Sequence, residues 1–407
     1  MLAVYLSPVY ILLNLYLLRW LLRWMNTCSS YFHKKGIQAG VVCVYSMLAL
    51  SILIGFLLPE GRLRRLMKLI GNYWLGVMLY ALLVIAIADL IRVILRGVIK
   101  KKQQDSGKAG RLLQRMKLSY AGTFCVFMII VMCIVGAVNA RVIRTVKYEA
   151  AIEKQAGDLD HLKIVLAADL HLGYNTGCRE MEQMVRKINA QKPDIVVIAG
   201  DIFDNEYEAL DDPKRLAYIL KGIESRYGVY ACYGNHDIEE KILAGFTFGG
   251  KHEKKESDPK MDMLLKQAGI TLLMDEGVLI DHSFYLYGRP DLHRPGCGIE
   301  VRKTPQEITG DMDQEKPIIV LDHEPKELEE LADAGVDLDL SGHTHNGQMF
   351  PGNLAIRFLW ENAYGYLKKG DMHNIVTSGV GVFGPYMRVG TKAEICVVDV
   401  RFHRSGT

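Results

Sequence analysis

The chain has 407 residues, half of them apolar, and a formal charge of +3. That length suits two or three ordinary domains, or one domain beside a membrane part. So small a positive excess gives no footing for a nucleic-acid binder. The eight scattered cysteines show neither paired metal spacing nor a disulfide framework.

Apolar residues are unevenly spread. Three uncharged runs, Ile37 to Leu58, Ile70 to Ala88 and Ser119 to Ala140, each reach the roughly 20 residues that cross a bilayer as a helix. A fourth, Met1 to Leu18, is interrupted by Pro8 and Asn14. It lacks the charged start and small-residue cleavage site of a signal peptide. The reading is a membrane anchor over 1–140 with four spans, or three if the first segment lies on the surface. Arg19 and Arg23 would then snorkel, with Trp20 and Trp24 at the interface. Asp89, the one carboxylate near a span, reads as an interfacial charge beside Arg92.

Loop charges give an orientation. Placing the first and third loops in the cytoplasm puts 13 positive residues inside and 7 outside. Nine of the inside charges fall between Arg92 and Lys117. A multi-pass protein with residues 141–407 outside the cytoplasm is therefore expected.

That second part alternates like a folded domain. Strands are predicted over Val142–Ile152, Lys163–Ala168 and Asp194–Ala199, and the run Val229–Tyr233 reads as a further strand. Helices are predicted near 179–191 and 212–226. This β-α-β-α-β order implies an α/β core with active groups at the carboxyl ends of parallel strands. Ala244–Asp262, Gly-rich then charged, reads as a solvated loop, with a substrate-facing cap as the alternative. Short strands follow near Thr271, Val278 and Phe284, then at Pro317–Leu321 and Val336–Leu340, with a helix near 325–334 between the last two. Closing strands are predicted at Asn374–Ser378 and Ala393–Val400.

Five strand ends carry chemistry: Asp169-Leu170-His171, Gly200-Asp201-Ile202-Phe203-Asp204, Gly234-Asn235-His236-Asp237, His323, and Gly342-His343-Thr344-His345. On an extended backbone residues i and i+2 share a side, so Asp169 and His171 can grip one ion. His343 and His345 can do the same or reach different ions. Asp201 has two oxygens and can bridge two cations about 3.5–4 Å apart. Mixed nitrogen and oxygen donors suit Mn, Fe, Zn or Co rather than Mg or Ca, and do not distinguish among those four.

Taken together these motifs resemble the calcineurin-like metallophosphoesterase superfamily, in particular its bacterial membrane-associated branch, over roughly residues 160–400. The resemblance implies an α/β/β/α sandwich with two divalent metal ions at the strand ends. It implies Asp169, His171, Asp201 and His345 on the first, with Asp201, Asn235, His323 and His343 on the second. It also implies that His236 protonates the leaving oxygen or stabilises the transition state, and that Asp204 orients His236. Asn346 departs from the branch, which usually has Gly there; Asn tolerates the left-handed backbone region, so the turn can survive. Arg289 and Arg388, with His293, are the candidate phosphate contacts. Histidines outside the motifs read as surface or satisfied core.

The expected reaction is in-line attack on phosphorus by a water activated between two cations, with His236 assisting the departing alkoxide. Location beside a membrane points to a phosphodiester or pyrophosphate in a lipid-linked or cell-envelope substrate. The alternatives are a metal-dependent nuclease or cyclic-nucleotide-type phosphodiesterase and, in another class, a membrane sensor that binds without turnover. The intact ligand set weighs against the sensor, and the absence of a basic, aromatic-interleaved groove against the nuclease. No oligomeric state is legible.

Overall fold

A computed structural model of the protein describes residues 2–102, 118–239, 242–243, 246–247, 257–294, 299 and 301–403. The basic stretch with Lys108, Arg111, Arg115 and Lys117, most of Ala244–Asp262, and Cys297 lie outside the described residues. Two units are distinguished: Met1–Gly136 with Leu243–Phe248 and Gly384–Tyr386, and Ala137–Ile242 with Gly249–Phe383 and Met387–Thr407.

The first unit is helical: α1 (Leu2–Cys28), α2 (Lys35–Leu57), α3 (Arg62–Lys102) and most of α4 (Leu118–Arg141). Among the described residues three stretches are long and apolar enough to cross a membrane, Lys35–Leu57, Arg62–Ile94 and Ser119–Arg141. This is the smaller of the two numbers read from sequence. α1 runs through Pro8 but buries a polar group by packing: Asn14 Nδ2 donates to Met78 Sδ at 3.3 Å, and the Tyr45 hydroxyl donates to Asn14 Oδ1 at 3.1 Å. Asp89 pairs with Arg92 at 2.6 Å and accepts from the Tyr16 hydroxyl at 2.9 Å, so its charge is matched locally.

The strands, in chain order, are β1 (Arg144–Ile152), β2 (His161–Ala167), β3 (Ile195–Ala199), β4 (Val229–Cys232), the two-residue β5 (Ile242–Leu243) and β6 (Phe246–Thr247), β7 (Ile270–Leu272), β8 (Glu276–Ile280), β9 (Phe284–Gly288), β10 (Ile318–Leu321), β11 (Leu338–Ser341), β12 (Gly365–Lys369), β13 (Met372–Val376) and β14 (Glu394–Phe402). One six-stranded sheet has the order β1-β14-β2-β3-β4-β7 and the other β12-β13-β11-β10-β9-β8. β2, β3, β4 and β7 pair in parallel, as do β9, β10, β11 and β13, while β8 and β12 close the second sheet as antiparallel edges.

Alternation along the inner strands explains the layering. Val165 and Ala167 face one way with Val196 and Ile198, meeting helices α5 (Cys178–Asn189), α6 (Pro213–Lys221) and α7 (Pro259–Gln267) through Met181, Ile188, Leu216, Leu220 and Leu264. Ile164 and Leu166 face the other way and meet Ile319, Leu321, Leu340 and Ile375 of the second sheet. Ile318 and Val320 point outward to α8 (Pro305–Thr309) and α9 (Leu328–Asp333) through Ile308 and Leu331. Strands buried on both faces read as unbroken apolar runs, as these do. Full burial of one such side chain stabilises by roughly 1.5–3 kcal/mol, so three apolar layers hold the helix/sheet/sheet/helix stack. This is the α/β/β/α sandwich that the resemblance implied, preceded by apolar helices.

Two boundaries move for local reasons. The helix expected from Pro325 starts at Leu328 because Glu327 adopts φ 56°, outside the helical region. β11 starts at Leu338 because Asp337 turns its carboxylate to Ile318 N and Lys154 Nζ, both at 2.8 Å. β12 carries Lys368 and Lys369 on an exposed edge, which gave no apolar signal. The cysteines among the described residues are all free.

Asp339, inside β11, is wholly buried. Its Oδ2 accepts from Asn374 Nδ2 at 2.6 Å and Ser341 Oγ at 3.1 Å, while Oδ1 has no partner. Burial, with Asp322 close by, pushes its pKa up to about 7. The folded state therefore binds a proton that the unfolded chain has released, and stability falls as pH rises from about 4 to about 7. Asp339→Asn removes that slope. Thermal unfolding in detergent should show the variant gaining on wild type between pH 5 and pH 8, by an amount on the order of 2 kcal/mol. Equal pH slopes for the two proteins would show that Asp339 does not titrate in this range.

Candidate metal centre

Five loops leave the carboxyl ends of β2, β3, β4, β10 and β11 and bring Asp169 and His171, Asp201 and Asp204, Asn235 and His236, His323, and His343 and His345 together. They do not do so by strand alternation. Asp169, His171, Asp201, His343 and His345 have φ of 52°, 44°, 49°, 69° and 50°, so the chain coils left-handed where an extended run was expected. A non-Gly residue held there costs on the order of 1–3 kcal/mol and persists only where its surroundings over-determine it. Here the loops lock one another. Asp169 N donates to Gly200 O at 3.0 Å and His171 N to Asp201 O at 2.9 Å. His343 N donates to both Asp169 oxygens, at 3.0 and 3.1 Å, and His236 N to Asp201 Oδ1 at 2.8 Å.

Two glycines make the approach possible. Gly200 has φ 71°, and a Cβ there would stand 2.5 Å from His323 Nδ1 and 2.8 Å from Gly234 N. Gly379 has φ 77°, and its Cβ would meet Asp169 Oδ2 at 2.6 Å. Asn346 takes φ 51°, the left-handed turn expected of it.

The side chains form two groups. In one, His171 Nε2 lies 3.0 Å from His345 Nε2, and His345 Nε2 lies 3.7 Å from Asp169 Oδ1. In the other, Asn235 Oδ1 lies 3.1 Å from His323 Nε2 and 3.0 Å from His343 Nδ1, which are 3.1 Å apart. Asp201 Oδ2 faces both, 3.7 Å from His171 Nε2 and 3.3 Å from His323 Nε2. Donors bound to one cation at 2.0–2.2 Å stand about 2.8–3.6 Å apart. Two ring nitrogens and a carbonyl oxygen within 3.1 Å of one another have the spacing that a shared cation imposes on its ligands. A cation at their centre satisfies all three, so the donor set fits divalent metal.

The electrostatics divide the rings: burial opposes charge on all of them, but Asp201 raises His323 well above the ordinary imidazole value and Asp204 with Asp201 raises His171. Burial pushes Asp169 up to about 6. Burial acts on Asp201 in the same sense, but His323, His236 and His171 outweigh it and hold its carboxyl well below the usual range. Burial also drives His343 down to about 3 and His345 well below the ordinary imidazole value, leaving neutral rings whose lone pairs can bind metal.

His236 stands at the edge of this cluster, its ring 4.9 Å from Phe383 and 5.0 Å from His171. Asp204, expected to orient it, faces the ring at ion-pair range and is joined there by Asn205. Asp204 Oδ1 is 3.6 Å from His236 Nδ1 and equally far from His171 Nδ1, so it serves both rings at ion-pair range. The direct partner is Asn205, whose Oδ1 is 2.5 Å from His236 Nδ1. Asn205 Nδ2 donates to Ile238 O at 3.0 Å, so the amide carbonyl faces the ring and Nδ1 carries the proton. That leaves Nε2 to gain or lose one. Asn205 adjoins the Gly-Asp-x-x-Asp motif, but nothing in its spacing marks it.

The reading of Arg289 as a phosphate contact needs correcting, and it and Arg388 are both wholly buried. Arg289 pairs with Asp322 at 2.7 Å and Glu327 at 2.6 Å, beside Arg302, which engages the same two carboxylates. Buried charges need such partners, and these are consumed by one another. Arg388 Nη2 donates to Ser378 O and Gly381 O, each at 2.6 Å, bracing the loop against Asp169. Three further residues went unread. Asp237 ties Phe203 N at 2.8 Å to Gly234 N at 2.7 Å. Glu324 Oε1 lies 3.3 Å from His343 Nε2, and the Trp360 ring packs 5.1 Å from the His343 ring. Of the histidines outside the motifs, His373 is satisfied, against Ala151 O at 2.8 Å and the Tyr366 hydroxyl at 2.9 Å.

The calcineurin-like phosphoesterase family profile matches residues 162–347. An uncharacterized metallophosphoesterase of Aquifex aeolicus is 30% identical over 261 residues, 64% of this chain and 92% of that protein. A transmembrane protein with metallophosphoesterase domain from Bos taurus is 26% identical over 97% of this chain and 87% of its own length. Phosphodiesterase YaeI of Escherichia coli K12 is 28% identical over 58% of this chain and 82% of its own length.

Removing the Asn205 carbonyl takes the direct partner from a partly buried ring N–H. Asn205→Ala should lower turnover about 10-fold, less than the roughly 10²–10⁴-fold of losing a whole acid–base group, with metal content unchanged. Metal lost together with turnover would instead place Asn205 among the supports of the ligand loops.

Proposed function

Because the chain belongs to the calcineurin-like phosphoesterase family, and is thus a metal-dependent phosphoester hydrolase, we propose that it uses two divalent cations, drawn from Mn, Fe, Zn and Co, to cleave a phosphodiester or pyrophosphate bond in a lipid-linked or cell-envelope substrate. The observation that carries the dinuclear reading is Asp201 Oδ2, placed 3.7 Å from a nitrogen of one group and 3.3 Å from a nitrogen of the other. Asp169, His171 and His345 would hold one cation, and Asn235, His323 and His343 the other, with Asp201 shared. When bound, the pair supplies Lewis acidity, neutralising phosphoryl charge and lowering the pKa of a water molecule.

The chain's own groups do the rest. His236 Nδ1 is anchored on Asn205, so Nε2 is the atom that hands a proton to the leaving oxygen, and Asp204 stabilises the ring while it is charged. Phe383 against the His236 and His171 rings shields this side from bulk water, which strengthens charge interactions within it. No Ser or Cys nucleophile is required. The name of the Escherichia coli relative supports the diester side of the reading, and the apolar helices support a substrate met at a membrane. The nine positive residues from Arg92 to Lys117 resist translocation, which supports a multi-pass protein with the catalytic unit outside the cytoplasm.

A neutral amide bridges two cations poorly, so Asp201→Asn should strip at least one metal ion and abolish hydrolysis of aryl phosphodiesters. Elemental analysis finding both ions at full occupancy would remove Asp201 from the bridging role. The sidedness has its own test, a single cysteine at Tyr218, 80% exposed, in a background whose reactive cysteines are replaced. A membrane-impermeant reagent should label it in intact cells. Labelling only after lysis would move the substrate to the cytoplasm.

A further inference from the structure

The stretch from Phe350 to Trp360 takes no part in the site chemistry, yet it lies against it. Leu354 is 52% exposed, Phe358 89% and Leu359 75%, on one short helical turn, Gly352–Ala355, the 3-10 turn that follows, Ile356–Phe358, and the residue that caps it. Elsewhere among the described residues of the second unit, large exposed apolar side chains such as Tyr218 and Val301 stand singly or in pairs. A contiguous apolar patch bordered by polar groups marks a surface that something covers.

The fold indicates what covers it. The last turn of α4, the end of a stretch able to cross a membrane, belongs to the second unit and is hydrogen-bonded into it. Asn139 Nδ2 donates to Arg388 O at 3.3 Å, and Arg144 N donates to Ala393 O at 2.8 Å. The apolar stretch starts from that same loop: Phe350 N donates to Val389 O at 2.8 Å, one residue beyond the carbonyl that receives Asn139, and Thr391 Oγ1 donates to Gln348 O at 2.6 Å. The patch is thus built on the loop that also receives the last turn of α4. At its inner end Trp360 packs on His343 and carries Lys326 Nζ 5.2 Å over its ring, and exposed Arg357 sits within the patch. Apolar side chains outermost, Trp at the junction and cations behind it is the order of side chains that a bilayer surface accommodates.

We propose that Leu354, Phe358 and Leu359 seat in the acyl layer of a bilayer, with Arg357 among anionic headgroups, so that the His343 edge of the metal centre faces the headgroup layer. This rests on the chain being a membrane protein and is independent of the substrate proposed above.

The test uses the full chain in nanodiscs of phosphatidylcholine and phosphatidylglycerol. An environment-sensitive fluorophore is attached at Phe358→Cys or, for comparison, at Tyr218→Cys, with Cys28, Cys43, Cys133 and Cys297 replaced by Ser. Turnover of a soluble aryl phosphodiester within about two-fold of wild type shows that each labelled protein is folded, as a surface change allows. Spin-labelled acyl chains should quench the probe at 358 at least about two-fold, the depth of an interfacial segment, and leave the probe at 218 unchanged. Water-like emission at 358 with no quenching would overturn the proposal. So would a blue shift that lipid spin labels do not quench but that requires two protein copies per disc, because a second chain would then be the cover.

Discussion

The carboxylate of Asp201 is the contact on which the centre depends. One oxygen receives the backbone N–H of His236, and the other lies between a nitrogen of each histidine group. Its backbone carbonyl receives His171 N, and its own φ is 49°. A single side chain thereby fixes the distance between the two groups, the position of the residue read as the acid, and the entry of the first loop. Burial alone would neutralise such a carboxylate, and only the cluster of imidazoles keeps it ionised. Without positive charge nearby, from rings or metal, this arrangement has no reason to hold.

The surrounding loops transmit that constraint across the sandwich. β2, β3 and β4 belong to one sheet, β10 and β11 to the other, and the inner apolar layer between them is not directional. Direction comes from polar contacts at one end: Asp169 with His343 N, Gly200 beneath His323, and Gly381 N on Asp169 O at 2.7 Å. Arg388 braces the last of these, and the Arg289, Arg302, Asp322 and Glu327 network secures the loop that carries His323. Arg289 thus serves placement, because Asp322 and Glu327 occupy it, and Arg388 Nη2 holds backbone carbonyls of the loop at Asp169.

Much of the architecture was legible because its signals are periodic. Doubly buried strands gave apolar runs, and the ligand-bearing residues fell where those runs stopped. What sequence missed is what depends on backbone conformation or on a single non-repeating contact. Asp169 and His171 converge through left-handed φ values, which resemble no pattern of side chains. Asn205 meets His236 from a neighbouring loop, 31 residues away in the chain. Arg289 invited a phosphate-binding reading because an arginine near a motif looks available, and its two acidic partners lie 33 and 38 residues further on. The exposed Phe358 and Leu359 gave no signal in sequence, since hydropathy does not report which side chains find a neighbour.

The pairing of β1 has a consequence for biosynthesis. β1 follows α4 directly, yet its neighbour in the sheet is β14, register Arg144 with Glu394, and β14 alone joins it to β2. The strand that follows the last apolar helix is thus without its partner until nearly the whole chain has been made. At roughly 5–20 residues per second, the ribosome needs on the order of 10–50 s to reach β14 after finishing β1. Over that interval the helices can already be inserted while the catalytic unit waits, its first strand an open edge that could pair with a stranger. Closure of the sheet is a late, post-insertion event, and a chain truncated before Glu394 would leave a membrane-held protein with that edge exposed.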